Sequence, residues 1–243
     1  MVSFWNTFFY EPLYNALIFL IGVVPGENVG LAVIALTVVV KAALYPLSQK
    51  SVHTQAKMRS LEGELSLIKE KHQDDKKKQA EATMELYRKH NVNPFSGCLT
   101  VLIQLPIIIA LYFVFLKGLA PNGGVLYSFV QFPEQVNSVF LGVDIASKSI
   151  TFALVAALAQ FWQTHLTLPK QKPRGETASF ADEFSRSMNV QMRYVLPVFV
   201  ALIAYTTSAA VALYWIVSSL FSVGQELLVR RRARVQETNN EGR

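Results

Sequence analysis

Charge is what this sequence has least of. Asp, Glu, Lys and Arg make up 16% of its 243 residues and apolar residues 51%, where soluble domains average roughly 25% charged. That imbalance argues against an ordinary soluble enzyme. It also excludes intrinsic disorder, which needs low hydrophobicity. Cysteine occurs once, as Cys98, so no disulfide can close within the chain. The four histidines, His53, His72, His90 and His165, lack the short spacing of a metal site, and no metal or cofactor is expected. No Lys or Arg precedes the apolar stretch 13–24, which therefore does not read as a signal peptide.

What is present is apolar sequence in blocks. A helix rising ~1.5 Å per residue needs ~20 residues to cross ~30 Å of hydrocarbon. Residues 29–47, 95–116 and 149–168 match that length, and a fourth block runs from 194 to 229. As one helix the fourth would be about 54 Å long, too long for a single crossing. It is expected to fold back near Thr206, Thr207 and Ser208, which brings the count to five spans. Residues 13–24, bounded by Glu11, Pro12 and Pro25, are too short to cross and fit an interfacial helix.

The basic residues orient these spans, because Lys and Arg gather on cytoplasmic loops. Of the 23, ten lie in residues 50–93, five in 169–193 and five from 230 onward, while only Lys117 and Lys148 fall on the opposite side. The N-terminus is then outside and the C-terminus cytoplasmic. Residues 50–93 read as two amphipathic helices, with one stripe at Met58, Leu61, Leu65 and Ile68 and a second at Ala80, Met84 and Tyr87. A polar turn around His72, Asp74 and Asp75 separates them. The expected fold is an all-α integral membrane protein, a five-transmembrane-helix bundle with a cytoplasmic helical hairpin and an N-terminal interfacial helix. Its segments are 1–28 (outer interfacial helix), 29–49 (first span), 50–93 (hairpin), 94–229 (spans two to five) and 230–243 (basic cytoplasmic tail).

Lys41 is the one basic residue left inside a span. A lysine at that depth costs roughly 2.5–3.5 kcal/mol on insertion scales, and such residues usually face a bundle interior or wet cavity. Snorkelling is handicapped here, because helix side chains tilt toward the N-terminus, away from the nearer water. Thr37, Lys41, Tyr45 and Ser48 share one helical face. Gln160, Gln163, Thr164 and Thr167 share another, Trp215, Ser218, Ser222 and Gln225 a third, and Gln104 lies beside Pro106, whose missing N–H frees a backbone carbonyl. Singly, each Ser or Thr reads as ordinary helix packing. Taken together, the stripes would enclose a polar groove open to the cytoplasm, with Lys41, Gln104, Gln160, Gln163, Trp215 and Ser218 as its substrate-binding residues.

Several motifs carry a family resemblance. NPFSGCLTVLIQLPIIIALYFVF (93–115) resembles the second core span of the YidC-type membrane protein insertases of the YidC/Oxa/Alb superfamily, and ALYWIVSSLFSVGQ (212–225) their last span. LIKEKHQDDKKKQAEATMELYRKHNVNP (67–94) is similar to their cytoplasmic coiled-coil loop, and FWQTHL (161–166) to the end of their third core span. The resemblance is to a short form, lacking the large extracytoplasmic domain of the longer members and the lipobox cysteine of others. It implies a five-span core with a hydrophilic groove closed outside, and a basic residue in that groove on the first span. Lys41 holds the position where the family usually has arginine. A lysine needs a wet or hydrogen-bonded site to keep its proton where an arginine does not. Gly63 stands where the family often has proline, and TSAAV (207–211) replaces a more FPAGL-like turn.

The expected function is that of a non-enzymatic insertase and chaperone of a bacterial cell membrane, inserting nascent membrane-protein clients. The ribosome, met through the hairpin and basic tail, a Sec-type translocon and the lipid bilayer are its expected partners. The basic tail reads equally as a lipid anchor or topology signal. The alternatives are a small secondary transporter or proton-coupled carrier that titrates Lys41, and a structural assembly factor. Against a carrier stand the odd span count, the lack of a visible inverted repeat and the long hairpin.

Overall fold

The computed structural model describes residues 2–73, 75–93, 96–119, 126–168 and 186–241. The basic loop 169–185 and the side chains of the basic tail 232–243 lie outside the described residues.

The chain begins with α1 (Val2–Trp5), a π-helical turn (Asn6–Tyr10) and α2 (Glu11–Val23), which follow one another without leaving helical dihedrals. The helix is thus longer than residues 13–24. Pro12 sits in the first turn of α2, where its missing N–H removes a single bond, and the π-turn just before it absorbs the misfit. Tyr10, Tyr14, Leu17, Ile18 and Ile21 are buried, while Phe4, Phe8 and Phe19 stay exposed. Gly26 (φ 68°) and Glu27 (φ 47°) then turn the chain sharply through left-handed dihedrals into α3 (Val29–Ala43). Asn28 caps α3 by accepting from the Leu31 amide at 3.2 Å.

At Leu44 the chain bends by 66° into α4 (Tyr45–Ser60). Pro46, in the first turn of α4, cannot donate back to α3, and this locates the bend. A joint at Leu61 leads to α5 (Glu62–Lys71), and α6 (Lys76–Lys89) packs back on α5. Leu61, Leu86 and Val92 form their small core, with Met58, Leu65, Ile68 and Tyr87 packed against it. The first stripe is the expected one. On α6 the contacts come from Leu86 and Tyr87, with Gln79 buried, whereas Ala80 and Met84 are exposed. Of the expected stripe Ala80, Met84 and Tyr87, Tyr87 packs inward and the other two do not, because the face is turned toward Leu86, whose apolar side chain has more surface to hide than Ala80.

The remaining helices are α7 (Ser96–Lys117), α8 (Ile150–Thr167), α9 (Arg186–Thr206) and α10 (Ala209–Glu241). α9 repeats the solution of the N-terminus, with a π-turn (Gln191–Val195) just ahead of Pro197. The 194–229 block breaks at Thr207 and Ser208, between α9 and α10. α10 does not stop at residue 229 but continues as helix to Glu241. α8 packs on both α9 and α10; α10 also packs on α3, α4 and α7, and α2 on α3 and α7. By length and composition α9 and residues Ala209–Arg231 are apolar enough to cross a membrane, and α3 with the first part of α4 makes a third candidate if the bent pair is one span. Gln104–Lys117 is a shorter apolar helix. With the exposed Val198, Phe199, Leu202 and Tyr205 on α9, this is the architecture of an all-α membrane protein.

One small departure from all-α is a hairpin in the α7–α8 connection, β1 (Val139–Phe140) with β2 (Val143–Asp144), turning through Leu141 and Gly142 at positive φ. This connection ties three elements together. The Val29 amide donates to the Asn137 carbonyl (2.9 Å), and the Asn28 side chain donates to the Val139 carbonyl (2.8 Å). Glu27 accepts from the Gln135 amide (2.7 Å). Farther along, the Ser147 and Ile145 carbonyls accept from the Ala209 and Ala210 amides at 2.8 and 2.9 Å, capping α10 with backbone alone.

Two predictions follow from these contacts. A Cβ on Gly30 would lie 2.3 Å from the Phe140 ring and 2.7 Å from its Cβ. Gly30→Ala should therefore lower thermal stability in detergent by the roughly 1–3 kcal/mol of an overpacked site, and the added loss should be smaller in a Phe140→Ala background, which removes the ring but keeps the Cβ. In α6, the Lys78 amide bonds Asp75 at 3.0 Å and is the main reason its carboxyl lies below the ordinary 3.8. A depressed folded-state value means that the cap stabilises α6 above about pH 4 and is lost as pH falls through the lower folded value. The protection of amides at the start of α6, taken relative to their intrinsic exchange rate at each pH, should fall on acidification in the wild type and be low at all pH values in Asp75→Ala.

Candidate functional site

The site is organised by α10, whose polar residues occupy two adjacent faces. At about 100° per residue, Tyr214, Ser218, Ser222 and Gln225 fall within an arc of about 80°, and Trp215, Ser219, Glu226 and Arg230 fill the next ~60°. The first face meets α3, α4 and α7. The second meets α8.

On the first face, Lys41 projects from the last turn of α3, three residues before the bend. Its Nζ donates to Ser222 Oγ (3.3 Å) and to Gln104 Oε1 (3.4 Å). Ser222 sends its own proton to the Ser218 carbonyl (2.9 Å), which leaves a lone pair for the ammonium. Gln104 donates through Nε2 to the Tyr214 hydroxyl, and Tyr214 is only 1% exposed. One turn nearer the end of α10, Gln225 Nε2 donates to Ser48 Oγ on α4 (3.0 Å). Among the described residues every hydrogen-bond partner of Lys41 is neutral and no carboxylate pairs with it. The site therefore keeps an uncompensated positive charge whenever Lys41 is protonated, held by amide and hydroxyl dipoles in a half-buried setting.

On the second face, Gln160 Oε1 accepts from Trp215 Nε1 (2.9 Å) and from Ser219 Oγ (3.4 Å), bridging α8 to α10. Two turns further on, Glu226, 1% exposed, accepts from Arg230 Nε at 2.7 Å, and the same guanidinium donates to the Leu166 carbonyl in the last turn of α8. Arg193, at the start of α9, donates to the neighbouring Leu168 carbonyl at 3.4 Å. Two arginines thus complete the C-terminal end of α8, where free carbonyls concentrate negative potential.

The residues singled out from the sequence divide between these faces. Lys41 and Gln104 come together, while Ser218 enters the cluster only through its backbone carbonyl, which accepts from Ser222. Gln160 and Trp215 pair with each other on the α8 side, so they do not share a cluster with Lys41. Gln163 is half-buried on α8, and its backbone carbonyl accepts from Thr167. Thr37 and Thr164 turn their hydroxyls back onto their own helices, at 2.6 Å to the Val33 carbonyl and 3.0 Å to the Gln160 carbonyl. Sequence reasoning missed Tyr214, Ser219 and the Glu226–Arg230 pair. Tyr214 was legible in principle, since it lies four residues before Ser218 and eight before Ser222 on one helical face.

Comparison with known proteins places these elements in a family context. The 60Kd inner membrane protein family model matches residues 20–237. The chain is 30% identical over 232 residues to the Membrane protein insertase YidC of Haemophilus influenzae (strain PittEE), which covers 93% of this chain and 37% of that protein. Against the Membrane protein insertase YidC of Clostridium tetani it is 29% identical over 218 residues, 89% of this chain and 88% of that protein. The relative of the same name from Laribacter hongkongensis is 30% identical, again over 37% of its own length. The chain thus spans little more than a third of the Haemophilus and Laribacter relatives and most of the Clostridium one.

The ion pair on the α8 face offers a direct check of the packing. Glu226→Ala leaves the half-buried Arg230 guanidinium short of its carboxylate, and should lower thermal stability by roughly 2–4 kcal/mol. The double variant with Arg230→Ala should cost clearly less than the two single losses combined; additive losses would mean that the pair is not coupled.

Proposed function

Because the chain belongs to the 60Kd inner membrane protein family, we propose that it is a membrane protein insertase, a non-enzymatic device that moves nascent clients into the bilayer without nucleotide hydrolysis. The observation that carries this reading is Lys41, a cation with no counter-ion among the described residues, set inside an apolar helix bundle and bonded to Gln104 and Ser222, with Tyr214 and the Ser218 carbonyl beyond them. In this reading α3, α7, α8, α9 and the first part of α10 are five spans, with the N-terminus outside and the C-terminus cytoplasmic, as the lopsided basic residues favour. α5 and α6 then form a cytoplasmic hairpin, and α1–α2 lies at the outer interface with Phe4, Phe8 and Phe19 toward lipid.

The physical task is to carry a short polar, often acidic, client tail through ~30 Å of hydrocarbon, where desolvation sets the barrier. A polar groove reaching Lys41 from the cytoplasm shortens the dry path. Lys41 offers a positive charge, and Gln104, Ser218, Ser222 and Gln225 offer hydrogen bonds, while the tail is halfway. The membrane potential, positive outside, adds up to ~2.3 kcal/mol per acidic charge per 100 mV. The client's apolar helix then moves into lipid along α8 and α10, where Trp215 supplies an amphipathic ring and Gln160 and Gln163 further polar contacts. A ribosome delivering the client would meet the hairpin and the basic end of α10, and a Sec-type translocon is a further partner. Neither the geometry nor the relatives' names favour a solute carrier.

In reconstituted vesicles, Lys41→Ala should reduce insertion of a single-span client with an acidic N-terminal tail several-fold, while Lys41→Arg retains it. Equal insertion by wild type and Lys41→Ala would remove Lys41 from the mechanism.

A further inference from the structure

Tyr214, 1% exposed, is buried beside the Lys41 cluster, and among the described residues its hydroxyl meets that cluster through Gln104. The chemistry of the three groups fixes their order. An ammonium donates and cannot accept, so Gln104 must offer Lys41 its amide oxygen rather than its nitrogen. The two N–H bonds of that amide then point the other way, toward the buried Tyr214, and call for an acceptor. A phenol oxygen is such an acceptor and a phenylalanine ring is not. Tyr214 lies on the α10 face that also carries Ser218 and Ser222, so one helix holds Lys41 both directly, through Ser222, and at one remove, through Tyr214 and Gln104.

We propose that Tyr214 is a positioning residue: its hydroxyl anchors the Gln104 amide with the oxygen turned to Lys41, and so sets where the Lys41 charge is presented to a client's acidic tail. Its first half is a statement about geometry; its second rests on the insertase reading. Without the anchor the amide rotates freely, Lys41 loses a fixed acceptor, and its Nζ is held by Ser222 alone among the described residues.

The two halves are tested separately on the full chain reconstituted in vesicles of mixed zwitterionic and anionic lipid. The first readout is acetylation of Lys41 by the N-hydroxysulfosuccinimide ester of acetic acid at one pH, followed by mass spectrometry. Tyr214→Phe should raise the labelling rate several-fold, Gln104→Leu should do the same, and the double variant should go no further. The second readout is insertion of a single-span client with an acidic tail, relative to the same client with a neutral tail. Tyr214→Phe should lower that ratio several-fold, toward the value for Lys41→Ala, and should have no further effect on it in a Lys41→Ala background. A role in packing alone would depress both clients together, together with the thermal midpoint, and would overturn the proposal. So would a Tyr214→Phe labelling rate equal to wild type, or one whose increase adds to that of Gln104→Leu. If labelling behaves as expected but the wild type inserts neither client, the insertase reading fails while the anchoring of Gln104 stands.

Discussion

A cation inside an apolar bundle has to be solvated by something, and here α10 does it directly through Ser222 and, by way of Tyr214, through Gln104 of α7. α10 contacts α3, α4, α7 and α8, and its two polar faces answer the needs of each. Ser222 meets Lys41, Tyr214 meets Gln104, Gln225 meets Ser48, and on the neighbouring face Trp215, Ser219 and Arg230 meet α8. A helix with so many hydrogen-bonding side chains would be poorly suited to face lipid. Central placement follows, and with it the arrangement of the other helices around it.

The two faces differ in character. Toward α8 the partners are mutually satisfied: Gln160 saturates its oxygen with two donors, and Arg230 is shared between a carboxylate and a helix end. Toward α3 and α7 the charge is left over. Hydroxyl and amide dipoles can hold an ammonium without cancelling its field, whereas a carboxylate would hold it more tightly and neutralise it. The contrast separates a seam that fixes helix positions from a cluster whose charge is still available to a visitor.

Much of this was visible beforehand, and the gaps have physical causes. Lys41 stood out because burying a lone charge is expensive whatever the fold. The break at Thr207 and Ser208 was legible because a mainly apolar run of 36 residues exceeds one bilayer and Thr206, Thr207 and Ser208 interrupt it. Trp215 was grouped with Ser218 because a helical stripe read from sequence is broad; the offset of about 60° between them is enough to send it to a different neighbour. Tyr214 was overlooked because a tyrosine in an apolar run reads as bulk, and its hydroxyl matters only once Gln104, 110 residues away, is beside it. The N-terminal helix was underestimated because Pro12 reads as a boundary. Twice, at Pro12 and at Pro197, the chain instead takes up the misfit in a π-turn and stays helical. On α6 the stripe of Ala80, Met84 and Tyr87 held at Tyr87 alone, and Leu86 beside it turned the face away from the other two.

The start of α10 has a property unlike the rest of the site. Its first two amides are held by the carbonyls of Ser147 and Ile145, atoms that every residue type possesses. Substitution along 145–147 can therefore change side chains freely without erasing the contact, provided the backbone path and the buried volume at Ile145 are kept. Such an attachment leaves almost no trace in residue identity. Relatives could diverge widely in this connection and still hang their central helix from the same place, so its inheritance is to be sought in loop length and backbone shape rather than in shared letters.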